Sequence, residues 1–129
     1  MVYMEGIKCI VICGSAKYIK EIHNLAVKLR KKKYIVTELE DVPYPSTFDP
    51  VEKLANREFY FSKIKKANLI LIYNKDGYIG LATAMEIQFS LDDNRRRPMR
   101  FLYIPEKIEF RAIMISPNYN TAVDSRWLH

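Results

Sequence analysis

Two short aliphatic runs, at residues 7–13 and 68–74, constrain this chain more than any other feature of its sequence. The first is rich in β-branched residues and holds one lysine, and the second is almost entirely aliphatic between two asparagines. Continuous apolar runs of this length are typical of strands buried on both faces, as in parallel sheets. The two runs are therefore predicted to be central strands.

Helical patterns and weaker strand patterns alternate with these runs. Ile19, Ile22, Ala26 and Leu29 recur at spacings of three and four, which is the apolar stripe of an amphipathic helix. Further strands are predicted at 34–39, 100–104 and 112–116, and further helices at about 49–66 and 83–92. This alternation predicts one α/β domain over residues 1–129. We expect a flavodoxin-like or Rossmann-like three-layer sandwich with a five-stranded parallel sheet of order 2-1-3-4-5.

Two helix starts are marked by capping patterns. Asp49 can cap a helix that has Pro50 in its first position, and Glu52 can complete a capping box. Thr83 and Glu86 have the same spacing as a second capping box. In such a box Glu86 would only satisfy the backbone at the start of the helix, which is a purely structural role.

Composition places the chain in an ordinary globular class. Apolar residues make up 49% and charged residues 28% of 129 residues, which argues against disorder. No apolar run approaches the ~20 residues of a membrane span, and no signal peptide is recognisable, so we expect a cytoplasmic protein without a membrane partner. Cys9 and Cys13 would lie about 13 Å apart on one strand, too far for a disulfide. No cofactor and no metal site are predicted.

The net charge of +6 favours anionic ligands and also permits nucleic-acid binding. However, the basic residues cluster at 30–33 and 95–97, where each group closes a predicted helix. A solvated helix end therefore explains these clusters better than a nucleic-acid surface does.

A ligand site is predicted where two glycine-bearing loops follow the central strands. In doubly wound sheets, ligands bind beyond the carboxyl ends of the strands, at the point where strand order reverses. This rule selects Gly14 and Ser15 after the first strand and residues 76–82 after the third. A helix N-terminus after Gly14 and Ser15 could bind phosphate. Neither a G-x-G-x-x-G pattern nor a P-loop pattern is present.

The second loop carries more chemistry. Gly77 and Gly80 allow positive φ angles or close approach of a ligand. Asp76 follows the strand directly and should point over the crevice, while Tyr78 could stack on a base or a sugar. Glu86, if it lies in the first turn of the next helix, would be held as an anion by the helix dipole. An ionised carboxylate there could attack a sugar anomeric carbon.

The segment Asp76-Gly77-Tyr78-Ile79-Gly80, with Thr83, Glu86 and Ile87 after it, resembles the signature of the nucleoside 2-deoxyribosyltransferase family. Cys13-Gly14-Ser15 and Val36-Thr37-Glu38 resemble the related deoxynucleoside 5′-monophosphate N-glycosidases. The resemblance spans roughly residues 7–104.

This resemblance implies a flavodoxin-like fold and a retaining displacement at C1′ of a 2-deoxynucleoside or its 5′-monophosphate. Glu86 matches the family's nucleophile, and Asp76 matches an acidic position near the sugar hydroxyls. Tyr60 stands where family members usually carry an aspartate that handles the proton of the leaving base. The expected substrate-binding residues are Gly14, Ser15, Asn74, Gly77, Tyr78, Gly80, Thr83 and Tyr60. A homodimer or larger homo-oligomer is also implied, with the tail 117–129 at a subunit interface.

Other functions are open at this point. A non-catalytic nucleotide-binding module on the same fold is the main alternative, because Tyr60 replaces the acidic residue. A flavin reductase would share the Gly14-Ser15 loop, but the residues after it lack that family's Arg and Ser pattern. A nucleic-acid-binding domain is suggested by charge alone.

Overall fold

The computed structural model describes residues 6–93 and 97–103 of the chain. Over these residues four strands alternate with three helices. In chain order they are β1 Cys9–Gly14, α1 Ile19–Lys31, β2 Ile35–Thr37, α2 Pro50–Lys66, β3 Leu69–Tyr73, α3 Leu81–Asp92 and β4 Met99–Phe101. Short 3-10 turns follow the first three strands, at Ala16–Tyr18, Leu39–Asp41 and Lys75–Gly77.

The four strands form one parallel sheet in the order β2-β1-β3-β4. The two aliphatic runs are its central strands β1 and β3, with Ile12 opposite Leu71 and Gly14 opposite Tyr73. The predicted α/β class and the order of the first four strands are therefore confirmed. The predicted fifth strand at 112–116 and the tail 117–129 lie outside the described residues.

Side chains of the sheet alternate between two apolar clusters, one on each face. Ile10 and Ile12 pack in the cluster that contains buried residues of α1, such as Ile22 and Leu29. On the opposite face, the second cluster joins β1 and β3 to α2 and α3; it includes Val11, Cys13, Ile72, Tyr60, Ile64 and Ile87. This period-two alternation covers both faces of the sheet, as the continuous aliphatic runs predicted.

The start of α2 agrees with its sequence signal in part. The Asp49 side chain accepts hydrogen bonds from the backbone N–H groups of Val51 and Glu52, and Pro50 is the first helical residue. The predicted reach of Glu52 to the Asp49 backbone is wrong. The Asp49 N–H donates instead to Thr47 Oγ1 at 3.1 Å, and that hydroxyl donates to Glu52 Oε1 at 2.6 Å. The Thr47 hydroxyl therefore links Asp49 and Glu52, the two residues of the predicted capping box.

The start of α3 corrects the second capping box. The helix begins at Leu81, with Gly80 as its N-cap and no side-chain hydrogen bond to the cap. Thr83 and Glu86 are buried inside the helix, with only 2% and 7% of their surfaces exposed. Because the helix starts two residues earlier than the pattern suggested, Glu86 lies in the second turn, and the capping role is wrong.

An ion pair between a partly exposed arginine and a buried carboxylate lies at the edge of the sheet beside β2. Glu38 follows β2 with 1% of its surface exposed, and it accepts hydrogen bonds from Arg30 and from the His23 ring at 2.8 Å. Arg30 also donates to the carbonyl oxygen of Val36 and to Asp41. The last turn of α1 thereby anchors the segment that leads from β2 towards α2.

None of the helices in the described ranges combines the length and the apolar character that crossing a membrane requires.

Candidate functional site

A cavity of about 460 Å³ opens beyond the carboxyl ends of the first three strands. Its walls come from the start of α1, the segment after β2, one face of α2 and the first two turns of α3. This volume lies within the range of small-molecule sites. The cavity therefore lies at the edge of the sheet that strand order predicted for a ligand.

Glu86 projects from α3 into the wall of this cavity, and its Oε1 atom is buried without a hydrogen-bond partner. Burial raises the pKa of Glu86 to about 8, against the opposing effects of the Cys13 thiol and the Arg57 charge. This differs from the expectation of an anion held by the helix dipole, because burial favours the neutral carboxyl. The helix dipole acts within the first turn, whereas burial in the second turn disfavours the charged form.

Tyr60 lines the same cavity from α2, where it is 1% exposed. Its hydroxyl donates a hydrogen bond to the carbonyl oxygen of Ile12 in β1. The paired residues of β2 end with Thr37 opposite Val11, so β1 continues beyond β2 at Ile12. Tyr60 therefore supplies a hydrogen-bond donor to the Ile12 carbonyl at the point where β2 ends. Its hydroxyl proton is used in that hydrogen bond.

Two cations of α2, Lys53 and Arg57, also line the cavity. Within the described residues, neither side chain forms a hydrogen bond or an ion pair, although the Lys53 ammonium lies 5.7 Å from the centre of the Phe48 ring. Sequence reasoning missed both residues. Lys53 and Arg57 are four residues apart, and Tyr60 follows one turn later, so the sequence did place all three on one face of the helix. That spacing did not indicate a site, because a basic helix face is usually exposed to solvent.

The two predicted loops do meet in space. Tyr18, after β1, donates hydrogen bonds to the Lys75 carbonyl at 3.3 Å and to Asp76 Oδ2 at 3.5 Å. A Cβ atom added to Gly80 would lie 3.9 Å from Ser15 Oγ. Ser15 Oγ itself accepts from the Lys17 N–H at 3.2 Å. The prediction that both loops lie at the carboxyl edge of the sheet, where the strand order reverses, is therefore confirmed.

Residues 75–80 after β3 form a rim beside the cavity and are not among its lining residues, whereas Leu81 and Ala82 of the predicted loop do line it. Asp76 and Gly77 adopt left-handed backbone conformations, with φ angles of 58° and 74°. Gly80, in contrast, has an ordinary φ of −75°. Tyr78 is 43% exposed, and the Lys17 ammonium lies 4.8 Å from its ring centre. Asp76, Gly77 and Tyr78 thus lie together but apart from the wall that holds Glu86.

Three other expected site residues have packing roles in this structure. The buried Asn74 amide donates to the carbonyl of Tyr103 and accepts from its N–H, both at 3.0 Å. A Cβ atom on Gly14 would lie 2.7 Å from Ile22 Cδ1 and 3.0 Å from Tyr73 Cβ. Thr83 is 2% exposed within α3. The hydrogen bonds to Tyr103 account for Asn74 and close packing accounts for Gly14, while the predicted contacts of all three residues with substrate stay predictions.

One further cluster contains possible metal ligands. His23, Glu38 and Glu40 bring ligand atoms within 4.8 Å of one another. The His23 Nδ1 atom already contacts both carboxylates, at 2.8 and 3.0 Å, and Arg30 pairs with Glu38. The contacts describe an ion-pair network that holds the segment after β2.

Comparison with protein-family models gives no match for this chain, and comparison with curated proteins gives none either.

Proposed function

We propose that this protein processes the N-glycosidic bond of 2-deoxynucleosides or of their 5′-monophosphates, by deoxyribosyl transfer or hydrolysis, with Glu86 as the nucleophile. The observation that carries the proposal is a buried carboxyl with an unpartnered oxygen in the wall of a 460 Å³ cavity. Buried polar atoms normally have partners, and an exception calls for an ordered water, an ion, a ligand or a reacting group at that atom. The resemblance around residues 76–87 supports the same assignment.

In the proposed reaction, a carboxylate oxygen of Glu86 attacks C1′ of the sugar. The bond from C1′ to the base nitrogen breaks, and its electron pair leaves with the base. A covalent deoxyribosyl-enzyme results, and water or a second base then displaces Glu86 at C1′. Two displacements retain the configuration at C1′.

The nucleophile must be ionised when it attacks, although a pKa of about 8 leaves Glu86 mostly protonated at neutral pH. Arg57 supplies the positive charge that favours the ionised form, because it lines the same cavity and lowers the pKa of Glu86. With a pKa of about 8, a minor fraction of Glu86 is ionised at pH 7, and this fraction would be the reactive nucleophile.

Protonation of the leaving base has no assigned donor. Tyr60, at the position of the family's aspartate, already donates its proton to Ile12. Among the described residues that line the cavity, Glu86 supplies the lone carboxyl. Asp76, on the adjacent rim, keeps its proposed role near the sugar hydroxyls. The proposal also includes the flavodoxin-like five-stranded sheet and a homo-oligomer with the tail 117–129 at its interface.

A non-catalytic nucleotide-binding module is the second candidate. Two observations favour it: Glu86 is largely neutral at pH 7, and its cavity holds no second carboxyl within the described part of the chain. Such a module would bind the same ligands without releasing base.

Release of free base from a panel of deoxynucleosides and their monophosphates tests both candidates. We expect release by the native chain and at least a 100-fold loss in Glu86→Gln, which keeps the side-chain shape but cannot attack. Glu58→Gln, an exposed change on α2, is the matched control and should leave the rate unchanged. Full turnover by Glu86→Gln would contradict the mechanism. Binding without any base release would favour the binding module.

A further inference from the structure

We propose that His23, Glu38 and Glu40 form a binding site for a divalent metal ion, with Zn²⁺ as the expected ion, between α1 and the segment after β2. None of the three residues is among those that line the cavity with Glu86. The inference therefore does not rest on the proposed function.

The three side chains converge from two elements that are separate in sequence. His23 lies in α1, whereas Glu38 precedes the 3-10 turn after β2 and Glu40 lies within it. The His23 Nδ1 atom is 2.8 Å from Glu38 Oε1 and 3.0 Å from Glu40 Oε2, and the three atoms lie within 4.8 Å of one another. One imidazole nitrogen and two carboxylate oxygens form a ligand set that suits Zn²⁺, and the imidazole disfavours Mg²⁺ and Ca²⁺.

The spacing of these atoms is close to that of a zinc site. Zn²⁺ binds nitrogen and carboxylate oxygen at about 2.0–2.2 Å, so ligand atoms around a tetrahedral ion lie about 3.4 Å apart. The two distances from Nδ1 would therefore widen by roughly half an ångström. The side chains of His23 and Glu40 are 40% and 49% exposed, so they have room for this movement. The same exposure gives an ion a path of entry and a water molecule the fourth position.

A single proton on His23 cannot serve both carboxylates equally. A ring nitrogen carries at most one hydrogen, which can point directly at one acceptor. Its hydrogen bond is with Glu38, so Glu40 Oε2 lies 3.0 Å from the same nitrogen without a hydrogen directed at it. A metal ion between the three atoms would contact all of them at once.

Arg30 holds Glu38 in the orientation that a metal ligand needs. The guanidinium pairs with Glu38 Oε2, which leaves Oε1 to face His23, and it also donates to Asp41 Oδ2 at 3.2 Å. Outer hydrogen bonds of this kind orient ligating carboxylates in metal sites. With His23 neutral, the network contains the carboxylates of Glu38, Glu40 and Asp41 against one guanidinium. A divalent ion would balance that excess of negative charge.

The ion would also hold part of the cavity wall. Leu39 lies between the two carboxylate ligands in the chain, and both Leu39 and Val42 line the cavity. A bound ion would tie this segment to α1 more firmly than the hydrogen bonds do alone.

The test titrates Zn²⁺ into the full native chain, after treatment with a chelator, by isothermal titration calorimetry at neutral pH. We expect one ion per chain with micromolar or tighter affinity, and a Tm that rises with Zn²⁺ concentration. Co²⁺ is the second probe, because its visible absorption reports the number of ligands around it. The absence of saturable binding would overturn the inference.

Substitutions at half-exposed positions identify the ligands. His23→Gln and Glu40→Gln should each weaken Zn²⁺ binding by at least about tenfold, in proteins that are folded by circular dichroism. Glu40→His removes the same negative charge but supplies another metal ligand, so it should keep most of the affinity. Equal losses in the two Glu40 variants would contradict the assignment, because an ion-pair partner without metal would behave in that way.

Three further variants control for zinc bound elsewhere. His129→Gln changes the other histidine of the chain, and Cys9→Ser changes a partly exposed thiol. Both should bind Zn²⁺ as the native chain does, and so should Glu86→Gln, whether or not the proposed function holds. If His23→Gln binds as tightly as the native chain, while His129→Gln or Cys9→Ser loses binding, the inference is overturned.

Discussion

The Cys13 thiol of β1 and the Glu86 carboxyl of α3 interact beside the cavity, and neither group is predominantly charged at neutral pH. Burial raises the pKa of Cys13 well above its ordinary value, and the neighbouring Glu86 raises it further. Burial likewise raises the pKa of Glu86 to about 8, and the thiol lowers it only in part. Cys13 is therefore an inert core thiol, while Glu86 is a carboxyl that ionises near the upper end of physiological pH.

Replacing Glu86 with glutamine should make the protein more stable at alkaline pH. The folded pKa of about 8 lies above the ordinary value of 4.5, so the folded state holds this proton more tightly than the unfolded state does. Its stabilising effect is complete below pH 4.5 and is lost as pH rises to about 8. We expect Glu86→Gln to raise the free energy of unfolding by about 1–3 kcal/mol at pH 8.

Urea denaturation at pH 5 and at pH 8 measures this effect. The gain from Glu86→Gln should be small at pH 5 and larger at pH 8, whereas Glu58→Gln should show no such difference. The same gain at both pH values would mean that Glu86 ionises normally in the folded protein.

The rate of base release should rise with pH as Glu86 ionises. Below pH 8, kcat/KM should increase by about tenfold per pH unit and level off above the pKa of the free enzyme. The charged or titratable groups that face Glu86 are Cys13, Arg57 and Tyr60. Because Arg57 favours the ionised form, Arg57→Gln should move this rise to higher pH. A flat profile between pH 6.5 and 9 would contradict the role of Glu86 as nucleophile.

Removing the Tyr60 hydroxyl should reduce stability and leave the chemistry of the site largely unchanged. Tyr60→Phe leaves the buried carbonyl of Ile12 without its side-chain donor, which should cost about 1–2 kcal/mol of unfolding free energy. Tyr44→Phe, at an exposed position, is the control. Thermal denaturation measures the stability, and base release measures the activity. A large loss of kcat without a loss of stability would instead make Tyr60 the proton donor.

Adding a methyl group at Gly14 should be more costly than adding one at Gly80. The new Cβ atom at Gly14 would lie 2.7 Å from Ile22 Cδ1 and 3.0 Å from Tyr73 Cβ, so the Ile22 side chain must move and the contact with Tyr73 must widen. Gly14→Ala should therefore cost about 1–3 kcal/mol. At Gly80 the nearest atom would be 3.6 Å away and φ is −75°, so Gly80→Ala should change stability little. Equal effects in a chemical denaturation series would show that packing at Gly14 is not limiting.

Several elements of this fold were predictable because they depend on local sequence. The aliphatic runs of β1 and β3 predicted two central buried strands, and Asp49 with Pro50 predicted the start of α2. The start of α3 was not predictable from the Thr83 and Glu86 spacing. A capping box and a buried helix face can have the same spacing, and packing against the sheet decided between them.

The sequence by itself determined the strand-helix alternation, the parallel order of the first four strands and the edge at which the two glycine loops meet. Apolar periodicity predicted the alternation, and the flavodoxin-like arrangement predicted the strand order and the edge where ligands bind. Only the tertiary structure decided the composition of the cavity wall. It brought Arg57 and Lys53 from α2 to the same cavity as Glu86 from α3, and it left Asp76 on the rim. The physical reason is that burial and charge at a side chain depend on elements distant in sequence, which local patterns do not report.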